Sequence, residues 1–67
     1  MKVYFENSWG EIRGIGEVDS KEKAFEIIKD FLFEHNFISY YTRCWKENDY
    51  LKIDVGSHTE FFYISKD

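Results

Sequence analysis

Residues 19 to 35 carry apolar side chains at helical spacing, and no other stretch of this 67-residue chain does. Counting from Ala24, the apolar positions Ile27, Ile28, Phe31 and Leu32 fall at offsets of three, four, seven and eight, which line one face of a helix. Phe25 and Phe33 flank that stripe, and Lys21, Glu22, Glu26, Lys29 and Asp30 occupy the outer side. Asp19 with Glu22 forms a capping-box pattern, Ser20 offers an alternative cap, and Asn36 suits a left-handed end after His35. A single amphipathic helix has to cover something, and the flanking segments say what. They are short, β-branched or aromatic, and separated by turn residues, so the partner is a sheet.

Two strands are expected before the helix, Lys2 to Phe5 and Glu11 to Val18, joined through the polar turn Asn7-Ser8-Trp9-Gly10. Gly14 and Gly16 mark a bulge or a close approach in the second strand, since glycine weakens a strand interior unless geometry requires it. A lone Gly-Ile-Gly is too little for a phosphate-binding loop. Three strands are expected after the helix: Ile38 to Lys46, Tyr50 to Val55 and Glu60 to Ser65, with turns at Asn48-Asp49 and Gly56 to Thr59. The expected fold is α+β, an antiparallel sheet of four to five strands in the order ββαβββ with the helix on one face. Residues 1–67 make a single domain.

A domain of this length buries only about 60% of the surface its unfolded chain exposes, so large rings matter to its core. The chain holds seven Phe, five Tyr and two Trp. Its one cysteine, Cys44, excludes an internal disulfide and a cysteine-based zinc site, which fits a reducing cytoplasm. The N-terminal apolar run ends at Glu6, leaving no segment for a signal peptide or membrane span. A net charge of −4 opposes tight binding to a phosphate backbone.

The Asn48-Asp49 turn fixes a register in which Lys46 faces Leu51, Cys44 faces Ile53 and Thr42 faces Val55 on one side. Trp45 then faces Lys52, and Arg43 faces Asp54, on the other. The second set is chemically coherent, since Arg43 and Asp54 are an ion pair and Lys52 can lie over the Trp45 indole. Carried across the Gly56 turn, Ile53 meets Phe62 and Leu51 meets Ile64, while Asp54 meets Phe61 and Lys52 meets Tyr63. The helix should therefore cover Cys44, Leu51, Ile53, Val55, Phe62 and Ile64. If Val3, Phe5 and Ile12 also point inward, then Tyr4, Arg13 and Ile15 join the outer face.

That outer face has no second helix to cover it. Tyr41, Arg43, Trp45, Lys52, Asp54, Phe61 and Tyr63 are the candidate contact residues, because exposed apolar patches mark interaction sites and Tyr, Trp and Arg dominate binding hot spots. The same rings could instead stack on one another or close a homodimer. Asp54, His58 and Glu60 are the one grouping with acid/base or metal-ligand potential, a secondary site at the turn. Cys44, placed on the core side, reads as a small hydrophobe. No nucleophile arrangement, phosphate loop or zinc spacing is present, so no catalysis, cofactor or metal is expected.

In Tyr40-Tyr41-Thr42-Arg43-Cys44-Trp45 and in Asp54-Val55-Gly56-Ser57-His58-Thr59-Glu60-Phe61-Phe62, the chain resembles short proteins encoded by phages and mobile elements of Gram-positive bacteria. The likeness runs from the Lys-Val-Tyr start through the Phe-Leu-x-Glu-His-Asn-Phe helix end. It implies a setting rather than a mechanism and carries over no catalytic residues. In that setting small proteins often bind a host protein and block antiviral defence, CRISPR nucleases included. The resemblance thus implies a non-enzymatic, cytoplasmic binder of a host defence component. The alternative is a nucleic-acid or nucleotide binder in which Tyr41, Trp45 and Tyr63 stack on bases while Arg43 and Lys52 meet phosphate.

Overall fold

Five strands and one helix follow the expected order in the computed structural model, which describes residues 1–39 and 41–65. They are β1 (Lys2–Glu6), β2 (Ile12–Glu17), α1 (Lys21–Glu34), β3 (Arg43–Glu47), β4 (Tyr50–Asp54) and β5 (Phe61–Ser65). All pair antiparallel in one sheet of order β2-β1-β5-β4-β3. The first strand thus pairs with the last at the sheet centre.

Local chemistry sets the element ends. At the first turn the Asn7 side-chain oxygen accepts from the amides of Trp9 (2.9 Å) and Glu11 (3.0 Å), and Gly10 takes a φ of +82°. The helix is capped by Ser20, whose hydroxyl accepts from the Lys23 amide at 3.2 Å. Asp19, the other expected cap, lies one residue too early and pairs with Lys23 instead, at 3.2 Å. The helix ends in a Schellman motif: the Phe37 amide donates to the Leu32 carbonyl, the Asn36 amide donates to that of Phe33, and Asn36 has the expected left-handed φ of +55°.

The core is Val3, Ala24, Ile28, Ile53, Val55, Phe62 and Ile64, with Phe5, Phe25, Ile27, Phe31, Leu32 and Leu51 packed around it. The expected register holds from Arg43 opposite Asp54 to Glu47 opposite Tyr50 and from Leu51 opposite Ile64 to Ile53 opposite Phe62, whereas the pairs expected beyond them, Thr42 with Val55 and Asp54 with Phe61, lie past the ends of the ladders.

Three expectations are corrected. The strand expected from Ile38 begins only at Arg43, so Tyr41 sits in the preceding loop and Tyr40 lies outside the described residues. Cys44 faces the helix side as the register requires, yet it is exposed. The helix packs on β1, β2 and β5 and makes no comparable contact with β4 or β3, although Ile53 of β4 is still buried. A helix about 10 Å wide covers only two or three strands spaced about 4.8 Å apart, so the β4–β3 side of the sheet is left over. A groove of about 360 Å³, lined by Phe25, Ile28, Leu32, Ile53 and Val55, runs where the helix stops short.

The third correction is the parity of β2. Val3 pairs with Gly16 but Tyr4 pairs with Gly14, so Ile15 is an extra residue. The bulge expected from the glycines is there, and its consequence is that every position before it changes face. Ile12 therefore stands beside Glu6 on the outer face, Arg13 pairs with Phe5 on the helix side, and Ile15 packs against the core, the reverse of the expected assignment. Tyr4 keeps its outer position. Gly16 is also a close approach: a β-carbon there would lie 2.5 Å from Ile27 Cδ1.

Candidate functional site: the open sheet face

On the side away from the helix, alternation along each strand brings Tyr4 and Glu6 of β1, Phe61 and Tyr63 of β5, Tyr50, Lys52 and Asp54 of β4, and Arg43, Trp45 and Glu47 of β3 to one surface. Among the described residues no element lies over it. Tyr4, Tyr63, Lys52 and Trp45 form a single row across four strands, each directly opposite the next.

At one end of the row the rings support one another. Tyr50 meets Tyr4 at 6.3 Å and Tyr63 at 6.0 Å, both edge to face. With Ile12, Glu47 and Asn48 they line a shallow groove of about 290 Å³. The Tyr63 hydroxyl donates to Glu6 Oε1 at 2.6 Å, and burial, then this bond to a carboxylate, pushes the phenol above its ordinary pKa. In the middle, Lys52 lies 4.3 Å from the Phe61 ring centre and 5.5 Å from that of Tyr63. Its side chain is only 18% exposed, and its ammonium is 4.0 Å from Glu47. Lys52 turns to the two rings of β5 rather than to the expected Trp45, while the indole Nε1 donates to Glu47 Oε2 at 3.3 Å.

At the other end Arg43 donates to Asp54 Oδ2 at 2.8 Å and holds its guanidinium 5.2 Å from the centre of the Tyr41 ring. Asp54 is buried and takes a second hydrogen bond, from the Gly56 amide at 2.9 Å. The Arg43 bond and then the Gly56 bond hold the Asp54 carboxyl below its usual pKa, and the same pair raises that of Arg43.

The expected contact residues are therefore brought together, with different parts to play. Tyr41, Arg43 and Trp45 are exposed, Phe61 and Tyr63 are half-buried, Lys52 is tucked beneath rings, and Asp54 is spent on orienting Arg43. Tyr50, Glu47 and Glu6 belong to the surface as well. The first two share the parity already used for Lys52 and Trp45 and were legible from it. Glu6 was not, because its bond to Tyr63 depends on β1 pairing with β5 across 57 residues.

The secondary grouping makes no metal cluster, though His58 lies near enough to Asp54 to join Arg43 and Gly56 in holding its carboxyl below the usual pKa. Among the described residues no three His, Cys, Asp or Glu side chains are placed to hold a metal ion. Asp54 faces Arg43, exposed His58 sits in the turn, and Glu60 borders a separate groove of about 240 Å³ beside His35, Ser57, Phe31 and Phe62. Among the described residues no helix is long and apolar enough to cross a membrane. Comparison of the chain with protein-family models, curated proteins and solved structures gives no match.

Proposed function

We propose that this chain acts by binding another protein, with the open sheet face around Tyr41, Arg43, Trp45 and Tyr63 as its contact surface. The observation that carries this is the placement of Arg43 and Trp45 on a strand exposed throughout, beside rings packed into a preformed surface. Arginine and tryptophan held in place by neighbours lose little freedom on binding, which is what makes such residues anchors. In the setting of the phage and mobile-element proteins that the chain resembles, the partner is a bacterial defence component. The chain is then a non-enzymatic, cytoplasmic inhibitor of the CRISPR-blocking kind.

The electrostatics of the face favour a protein over a nucleic acid. Its two central cations, Arg43 and Lys52, already have Asp54 and Glu47 as neighbours, and Glu6 adds a third carboxylate. Phosphate affinity depends on cations free to displace counterions. Tyr63, one of the rings that would stack on a base, meets Tyr50 edge to face and gives its hydroxyl to Glu6.

The test is expression in a bacterium with active CRISPR immunity against a plaquing phage. Wild-type protein should restore plaques, and Trp45→Ala, folded to the same melting temperature, should not. Full immunity in the presence of wild-type protein, together with salt-sensitive binding to random single-stranded oligonucleotides, would replace this function with the nucleic-acid one.

A further inference from the structure

The sheet has two edges, and they are built differently. β2 carries the Ile15 bulge and two glycines, features that blunt an edge against pairing. β3 is regular and exposed along its whole length. Because the two-residue turn closes on Glu47 and Tyr50, the backbone groups of Arg43, Trp45 and Glu47 face β4, and those of Cys44 and Lys46 face outward. A row of outward N–H and C=O groups is a template for another strand.

The side chains of β3 are complementary to their own reverse. With Trp45 on a two-fold axis, Arg43 of each copy stands opposite Glu47 of the other, Cys44 stands opposite Lys46, and the two indoles meet. We propose that β3 pairs antiparallel with β3 of a second copy, joining two five-stranded sheets into one of ten strands. Outward Cys44 and Lys46 then exchange four backbone hydrogen bonds between the copies. Trp45 and the Arg43–Glu47 pairs fall at non-hydrogen-bonded positions, where opposing side chains come closest.

Other registers are worse on the same chemistry. A one-residue slip sets outward backbone groups against inward ones. Centring on Lys46 places the two ammonium groups face to face, and centring on Cys44 removes both Arg–Glu pairs. Lys46, the one charged residue that points to the helix side of β3, thus selects the register rather than forbidding the edge. The dimer also completes the open face. The row Tyr4, Tyr63, Lys52, Trp45 becomes an unbroken eight-residue row, with each indole flanked by that of the second copy.

Sedimentation equilibrium from micromolar to about millimolar chain tests this. The wild-type protein should move from the mass of one 8.2 kDa chain to that of two. Glu47→Arg, which sets Arg against Arg43 twice, should weaken the dimer at least about tenfold. Cys44→Pro, which deletes an outward amide, should abolish it, with circular dichroism confirming that both variants stay folded. Trp45→Cys in a Cys44→Ser background should form a disulfide-linked dimer on oxidation, because opposing residues at such positions have Cα atoms about 4.5 Å apart. A wild-type chain that stays monomeric, a dimer indifferent to Glu47→Arg, or a wild-type dimer linked through Cys44 would each overturn the proposal. A monomer that still blocks immunity would overturn it alone and leave the proposed function standing.

Discussion

Arg43 and Asp54 stand directly opposite each other on β3 and β4, and the guanidinium donates to the carboxylate at 2.8 Å although the Arg43 side chain is 66% exposed and that of Asp54 only 7%. A carboxylate taken out of water with a depressed pKa stabilises the fold above its unfolded pKa, 3.8, and that stabilisation is lost as pH falls below it. Melting temperatures of the wild type and Asp54→Asn, measured from pH 2 to 7, should differ most at neutral pH and converge in acid. A constant difference across that range would show that the ion pair is not what Asp54 contributes.

Tyr63 predicts the opposite limb. Its folded pKa is raised, so its contribution is whole below the unfolded value near 10 and is lost as pH rises above it. Alkaline melts should show wild-type stability falling above about pH 10 more steeply than that of Tyr63→Phe, which keeps the ring and removes the titrating hydroxyl.

Gly16 and Ile27 should be energetically coupled. Gly16→Ala places a methyl group against Ile27 Cδ1, which has to turn away, at a cost of about 1 kcal/mol in chemical denaturation. Ile27→Val removes that carbon, so the double variant should lose less than the two single variants added together. Gly14→Ala, where a β-carbon meets only the Tyr4 ring at 4.0 Å, should be tolerated more readily than Gly16→Ala.

The core and the edge should separate cleanly. Phe62→Ala removes a fully buried ring and should cost about 3 to 5 kcal/mol, much of what a domain this small possesses. Cys44→Ala should leave the melting temperature within a few degrees of wild type. The Cys44 thiol should react with a thiol reagent in the native state, whereas a buried thiol would wait for unfolding.

If the open face binds a protein as proposed, Trp45→Ala should weaken that binding by about 2 kcal/mol or more, roughly thirtyfold, with little change in melting temperature. Calorimetric titration beside a thermal melt separates the two effects. Equal affinity for the variant would remove the open face as the contact surface.

The sequence by itself determined what is local. The spacing from Ala24 to Leu32 and Asn36 after it specify one helix and its C-terminal end, and leave its start to Asp19 or Ser20, because capping and periodicity act within a turn or two. Asn48-Asp49 specifies the register of β3 on β4, and with it the pairing of Arg43 with Asp54 and the split into an aliphatic and an aromatic face. What only the tertiary structure decided is long-range. β1 pairs with β5, which gives Tyr63 its carboxylate and sends β3 to the edge. The helix follows β2 and spends its width on β1, β2 and β5, so Cys44 is bare on a face whose parity had marked it as core. One extra residue, Ile15, exchanges the faces of Ile12 and Arg13. Alternation says which residues share a side; which side is covered depends on where a single helix, too narrow for five strands, comes to rest.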